Sequence, residues 1–267
     1  MLLLLVGCVP PVEAPTDLDA LFHWFFVNRD TASQEELDAA AANLLPFASE
    51  STRGTVTHLT EGEQAVVAMT TPADPANATG IFITGPVACS FEDFERVHYA
   101  LDQEGLYETA TGDESYIEYD RAYTSDLAAY EAREAPTLSW DTTYTIEPVL
   151  ARYTADIKGG MRFVPASAGD TDEEGVGPVV IERAHLPSPA IFEGRGEAEG
   201  GDFFDQDYQL DIMLPDAAGT GSVHAYAVWR DLSSLGQTDE SEGVQNLILD
   251  GLEDFDRDTE LVCAAGF

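Results

Sequence analysis

Residues 208–229 read Tyr208-Gln209-Leu210-Asp211-Ile212-Met213-Leu214, a loop over 215–221, then Ser222-Val223-His224-Ala225-Tyr226-Ala227-Val228-Trp229. In the first run Tyr208, Leu210, Ile212 and Leu214 fall on alternate positions. In the second, His224, Tyr226 and Val228 oppose Val223, Ala225, Ala227 and Trp229. A period of two is that of a strand with two unlike faces. The loop between them, Pro215 to Gly221, suits a hairpin. This stretch makes the second half of the chain an antiparallel sheet.

The same period extends upstream. Residues 138–146, 151–157, 161–164, 179–184 and 203–214 read as strands, with Gly159-Gly160 as a turn and 169–177 as an acidic loop. Strands so closely spaced favour an antiparallel meander. Downstream, residues 241–261 read as one long helix. Its face is Val244, Leu247, Ile248, Leu252 and Phe255, and Gly251 permits close approach.

The N-terminal half is helical first. Leu18, Leu21, Phe22, Phe25 and Phe26 recur at helical spacing, with Thr16 or Asp17 placed to cap them. Ser33 to Glu36 has the form of a capping box, Leu37, Ala40, Ala41 and Leu44 follow, and Pro46 is expected to end that helix. Residues 17–48 are therefore a helical pair, packed on an α+β domain over 49–267. Residues 54–59, 65–70 and 80–87 read as strands. A third helix opens at Ser90, with Phe91, Phe94, Val97 and Leu101 as its stripe and Gly105 as its end. Residues 125–134 read as a short helix, and the tyrosine-rich segment before it as irregular.

The sequence holds 267 residues, 44% of them hydrophobic, enough for a sizeable core. Asp and Glu number 50 against 12 Lys and Arg, a net charge of −38. Such a surface repels nucleic acid, whose binding depends on neutralised phosphates. No nucleotide loop, nucleophile elbow or zinc-protease motif occurs. The alternating acids from Asp254 to Glu260 fail as a calcium loop, because Thr259 and Ala265 stand where Gly and Glu are required. His23, His58, His98, His185 and His224 are scattered over different elements. No catalytic residue, metal ligand or cofactor is assigned, and the chain reads as a non-enzyme.

Leu5-Val6-Gly7-Cys8 closes the apolar start of the chain and resembles the lipobox of bacterial lipoproteins. The resemblance implies a signal peptide over 1–7 and a lipidated Cys8. It also implies a Pro-rich tether over 8–16 and attachment to the membrane through the acyl chains alone. No Lys or Arg precedes Cys8, so the signal is expected to be truncated, with the true start upstream. Val9 in place of Asp implies outer-membrane sorting, facing the periplasm or the cell surface.

Strand, helical segment, antiparallel strands and long terminal helix, over about residues 78–262, resemble in their order the START-like helix-grip fold. That fold wraps a sheet around its last helix, often with an apolar ligand between. The resemblance implies a ligand wall of Trp140, Tyr144, Tyr153, Phe163, Tyr226 and Trp229, and an apolar small molecule as the candidate partner. A filled core and a purely structural or interaction role stand beside it, and are favoured. Once Cys8 is lipidated, Cys89 and Cys263 remain, and an exported chain tends to pair them. A helix-grip arrangement makes them neighbours.

Overall fold

A computed structural model describes residues 13–71, 73–112, 116–146, 152–166, 177–192, 201–202, 205–231 and 242–266. The lipobox with Cys8, the acidic loop as far as residue 176, and Phe203 lie outside them. Two helices come first. In α1 (Leu18–Asn28) the Asp17 side chain accepts from the Ala20 amide, and Leu21, Phe22, Trp24, Phe25 and Phe26 are buried. α2 (Gln34–Ala48) starts at the Ser33–Glu36 capping box and buries Leu37, Ala40, Ala41, Leu44 and Ala48. Pro46 does not end it. In the last turn a proline forfeits a single backbone bond, which the helix tolerates.

Among the described residues ten strands form one antiparallel sheet. They are β1 (Thr52–Val56), β2 (Thr79–Val87), β3 (Tyr116–Tyr123), β4 (Thr137–Ile146), β5 (Tyr153–Val164), β6 (Val179–His185), β7 (Ile191–Phe192), β8 (Gly201–Asp202), β9 (Asp207–Pro215) and β10 (Ser222–Arg230). Their order is β1-β2-β10-β9-β6-β5-β4-β3, with β7 and β8 as a small hairpin beside β5. Strands β3 to β10 are thus a meander, and the earlier β2 closes on its last strand. Five helices fill the connections and the end: α3 (Glu61–Gln64), α4 (Phe91–Tyr99), α5 (Gln103–Thr111), α6 (Leu127–Glu131) and α7 (Glu242–Ala265).

The period of two assigns the faces. Val223, Ala225, Ala227 and Trp229 of β10, with Tyr208, Leu210, Ile212 and Leu214 of β9, pack under α1 and α2. The alternate residues face α4 and α7. Both faces are covered, so β6 is buried throughout and β10 at all but its last residue. This is an α+β fold in which the sheet carries a helical pair on one side and holds the terminal helix on the other. Arg162 and Arg183 reach from the strands to the end of α1. They donate to the carbonyls of Arg29 (2.6 Å), Ala32 (3.0 Å) and Phe26 (2.6 Å). Cations on the last carbonyls of a helix are favourable. On the far side, Leu249 and Leu252 of α7 pack on Ile81, Ile83, Tyr226 and Val228. A disulfide joins Cys89, just past β2, to Cys263 near the end of α7, with Cα atoms 5.5 Å apart. Among the described residues no helix is long and apolar enough to cross a membrane.

Several elements differ from the sequence expectation. Residues 65–70 are not a strand: Thr60 and Glu63 form a second capping box and open α3 instead. The first strand lies at Thr52–Val56 rather than over 54–59. Gly105 sits inside α5, its amide bonded to the capping Asp102, and Leu101 is exposed between α4 and α5. The tyrosine-rich segment is β3. Gly159-Gly160 lies in the middle of the long β5 because the Trp140 indole covers Gly159, leaving no room for a Cβ. On α7 the buried face is Leu249, Leu252, Thr259 and Val262, and Leu247 points to solvent.

Candidate functional site

The space between the sheet and α7 has two chemically different regions. The first is a wall of tyrosines. Tyr119 and Tyr116 of β3, Tyr144 of β4 and Tyr153 of β5 form a chain of ring contacts, with centroids 5.2, 5.6 and 6.2 Å apart. Tyr226 of β10 is buried on the same side of the sheet. Burial raises all of these phenols, Tyr153 to about 12. They therefore stay protonated and can donate. Arg230, opposite Asp207 across the β9–β10 pair, forms an ion pair with it. A cleft with room for about 10 Å³ lies at this end, bordered by Thr79, Ile81, Val228, Arg230, Val244 and Ile248.

Trp140, Tyr144, Tyr153, Phe163 and Tyr226 all lie on the α7 side of the sheet. Trp140 packs in a cluster with Tyr130 and Met161, and the partly buried Phe163 packs against it. Trp229 is on the wrong face. It stands an odd number of residues from Tyr226, so the strand period turns it under α1. There it contacts Phe26 at 5.5 Å and donates to the Thr57 carbonyl at 2.8 Å.

The second region is a buried polar cluster, which the sequence reading missed. Glu182 of β6 and Asp211 of β9 are directly opposite one another in the sheet. His224 of β10 places Nε2 3.2 Å from Asp211 Oδ1 and Nδ1 2.8 Å from Asp256 Oδ1 of α7. His98, from the last turn of α4, places Nδ1 3.0 Å from Glu182 Oε2. His98, Glu182, Asp211 and His224 are all buried. Phe94 meets both imidazoles edge-on, at 4.9 and 5.0 Å, and Phe255 meets His98 at 5.7 Å. Burial pushes the Asp211 carboxyl up; His224, although burial opposes its charge, is raised to about 10 by Asp256 and Asp211. The histidines do come from different parts of the chain. Two of them converge because α4 is folded back over the strands. The sequence did contain one signal: Asp211 stands between Leu210 and Ile212, and His224 between Val223 and Ala225, each a polar residue amid apolar strand neighbours.

No family model matches the chain, and no curated protein is similar to it in sequence. Among solved structures it is similar to Ara h 8.0201, at 8% identity and a TM-score of 0.40, over 71% of this chain and 99% of that one. It is also similar to human STARD10, at 10% identity and a TM-score of 0.39, over 70% of this chain and 64% of that one. A protein from Arthrobacter aurescens matches at 9% identity and a TM-score of 0.31, over 72% and 92% of the two chains.

Proposed function

We propose that this chain is a lipid-anchored envelope protein, tethered at Cys8 in the outer membrane, whose domain binds a small apolar molecule between the sheet and α7. It binds without catalysing a reaction. One observation carries this reading. Tyr116, Tyr119 and Tyr144 lie beneath the helices, where loss of hydration raises their phenols, yet each keeps part of its surface accessible. Side chains of a filled core are closed on all sides, and the partial exposure of these three supports an opening between the sheet and the helix. Aromatic walls with a few polar groups suit apolar ligands that carry one polar end. Native mass spectrometry of the protein purified from its own cells tests the reading. A reproducible small-molecule adduct, lost when Tyr144→Trp fills the space, is expected; repeated absence of any adduct sinks it. The anchor is tested separately, by palmitate labelling of the wild type and not of Cys8→Ser.

A second reading, a structural or interaction protein with a filled core, is favoured by one dimension. The cleft beside Arg230 has room for about 10 Å³, on the order of one water molecule and far below the roughly 300–1,000 Å³ of drug-sized ligand sites.

A further inference from the structure

We propose that His98, Asp211 and His224 form a binding site for a divalent first-row transition-metal ion, with Glu182 and Asp256 as the carboxylates that orient the two imidazoles. The site is separate from the tyrosine wall and does not depend on it.

The three residues can each offer one donor atom such that all three atoms lie within 4.8 Å of one another. The hydrogen bonds indicate which atoms those are. Glu182 holds Nδ1 of His98, and Asp256 holds Nδ1 of His224. A ligating histidine almost always has such a partner on its second nitrogen, which fixes the ring and its tautomer. Nε2 of His98 is then left for the ion, and Nε2 of His224, 3.2 Å from Asp211 Oδ1, would exchange that contact for the ion, with Asp211 as the third ligand. Metal–nitrogen and metal–oxygen bonds of about 2.0–2.2 Å set donors roughly 3.3 Å apart in a tetrahedral site, so the widest pair would close by about 1.5 Å.

Two independent observations point to a cation. Nε2 of His98 is fully enclosed and has no hydrogen-bond partner among the described residues. An orphaned buried polar atom is unfavourable, and ligation would remove that penalty. Glu182 and Asp211, moreover, face each other on adjacent buried strands, where like charges are unfavourable without a counter-charge. A protonated His224 alone, bridging Asp211 and Asp256, answers the second need and leaves the first unmet. Imidazole donors select ions such as Zn²⁺, Co²⁺ or Fe²⁺ over Ca²⁺ and Mg²⁺, which prefer all-oxygen sites.

The test is titration of the chelator-treated full chain with Co²⁺ and Zn²⁺ in millimolar Ca²⁺, which occupies weak sites on the acidic surface. Co²⁺ should give visible d–d bands that saturate at one equivalent, and Zn²⁺ should abolish them and raise the unfolding temperature. His98→Gln and His224→Gln should each weaken Co²⁺ binding at least a hundredfold. Glu182→Gln, which leaves the three donors in place, should weaken it about 10–100-fold. Should a histidine variant not fold, the wild type decides alone. Absence of a saturable site tighter than about 100 μM, or displacement of Co²⁺ by Ca²⁺, overturns the proposal. Undiminished binding in folded His98→Gln and His224→Gln overturns it equally.

Discussion

Arg133 is the non-glycine residue that takes a positive φ among the described residues, 58°. Glycine would suit that backbone, and a left-handed conformation costs other residues about 1–2 kcal/mol. The side chain accounts for the choice. Its guanidinium donates to both oxygens of the buried Glu95, at 2.7 and 2.5 Å, and lies 3.7 Å over the Phe163 ring. The Tyr130 hydroxyl donates to the same carboxylate at 2.5 Å. Arg133 is exposed and Glu95 buried, and removing the guanidinium takes two charged hydrogen bonds from that carboxylate, about 1.5–3 kcal/mol each. The second effect is the larger. Arg133→Gly should therefore destabilise by about 2–3 kcal/mol in urea unfolding despite the relaxed backbone. Glu95→Gln added to it should restore part of the loss. A neutral or stabilising Arg133→Gly would show that the ion pair contributes little.

At the scale of elements, the seam between α1 and the sheet carries the titrating groups. His185 of β6 is buried, with Nε2 3.3 Å from the Ala68 carbonyl. Burial, then the nearby cations Arg183, Lys158 and Arg29, push its pKa down, against that carbonyl. As pH falls below about 6.5 the unfolded chain takes a proton that the folded chain refuses, so stability is lost by up to about 1.4 kcal/mol per pH unit. For Asp30, burial opposes ionisation, but Arg29 and Arg183 prevail and hold the carboxyl below its ordinary range. Its contribution is present above about pH 4 and is lost on further acidification. Below about pH 6.5 the wild-type unfolding midpoint should fall relative to that of His185→Gln, the charge on His224 acting alike in both; parallel curves would exclude His185 as the cause. Much of this element structure was legible in the sequence. The 208–229 hairpin, both first helices and α7 announced themselves by period and caps. β3 did not, since its sequence YIEYDRAY places large polar groups on both faces. Gly159-Gly160 misled because the reason for those glycines is Trp140, a residue on the neighbouring strand.

For the whole molecule, the polar cluster was illegible because its members come from α4, β6, β9, β10 and α7 and meet only through the topology. The tyrosine wall was half legible: Tyr144, Tyr153 and Tyr226 follow from strand parity, whereas Tyr116 and Tyr119 required β3 to be recognised. The Cys89–Cys263 bond has a mechanical consequence. Force applied at the two ends of the chain passes straight across it, so the segment between the cysteines, a separation of 174 residues, carries no load. That segment holds α4, both regions of the candidate site and nearly all of the sheet, whereas α1, α2, β1 and β2 lie in series with the pull. Tension would strip the helical pair, the edge strand β1 and then β2, and leave the inner ring unable to lengthen. In single-molecule stretching, the reduced protein should reach a contour roughly 600 Å longer than the oxidised one, at about 3.3–3.6 Å per residue; equal contours would mean that the bond does not shield the segment.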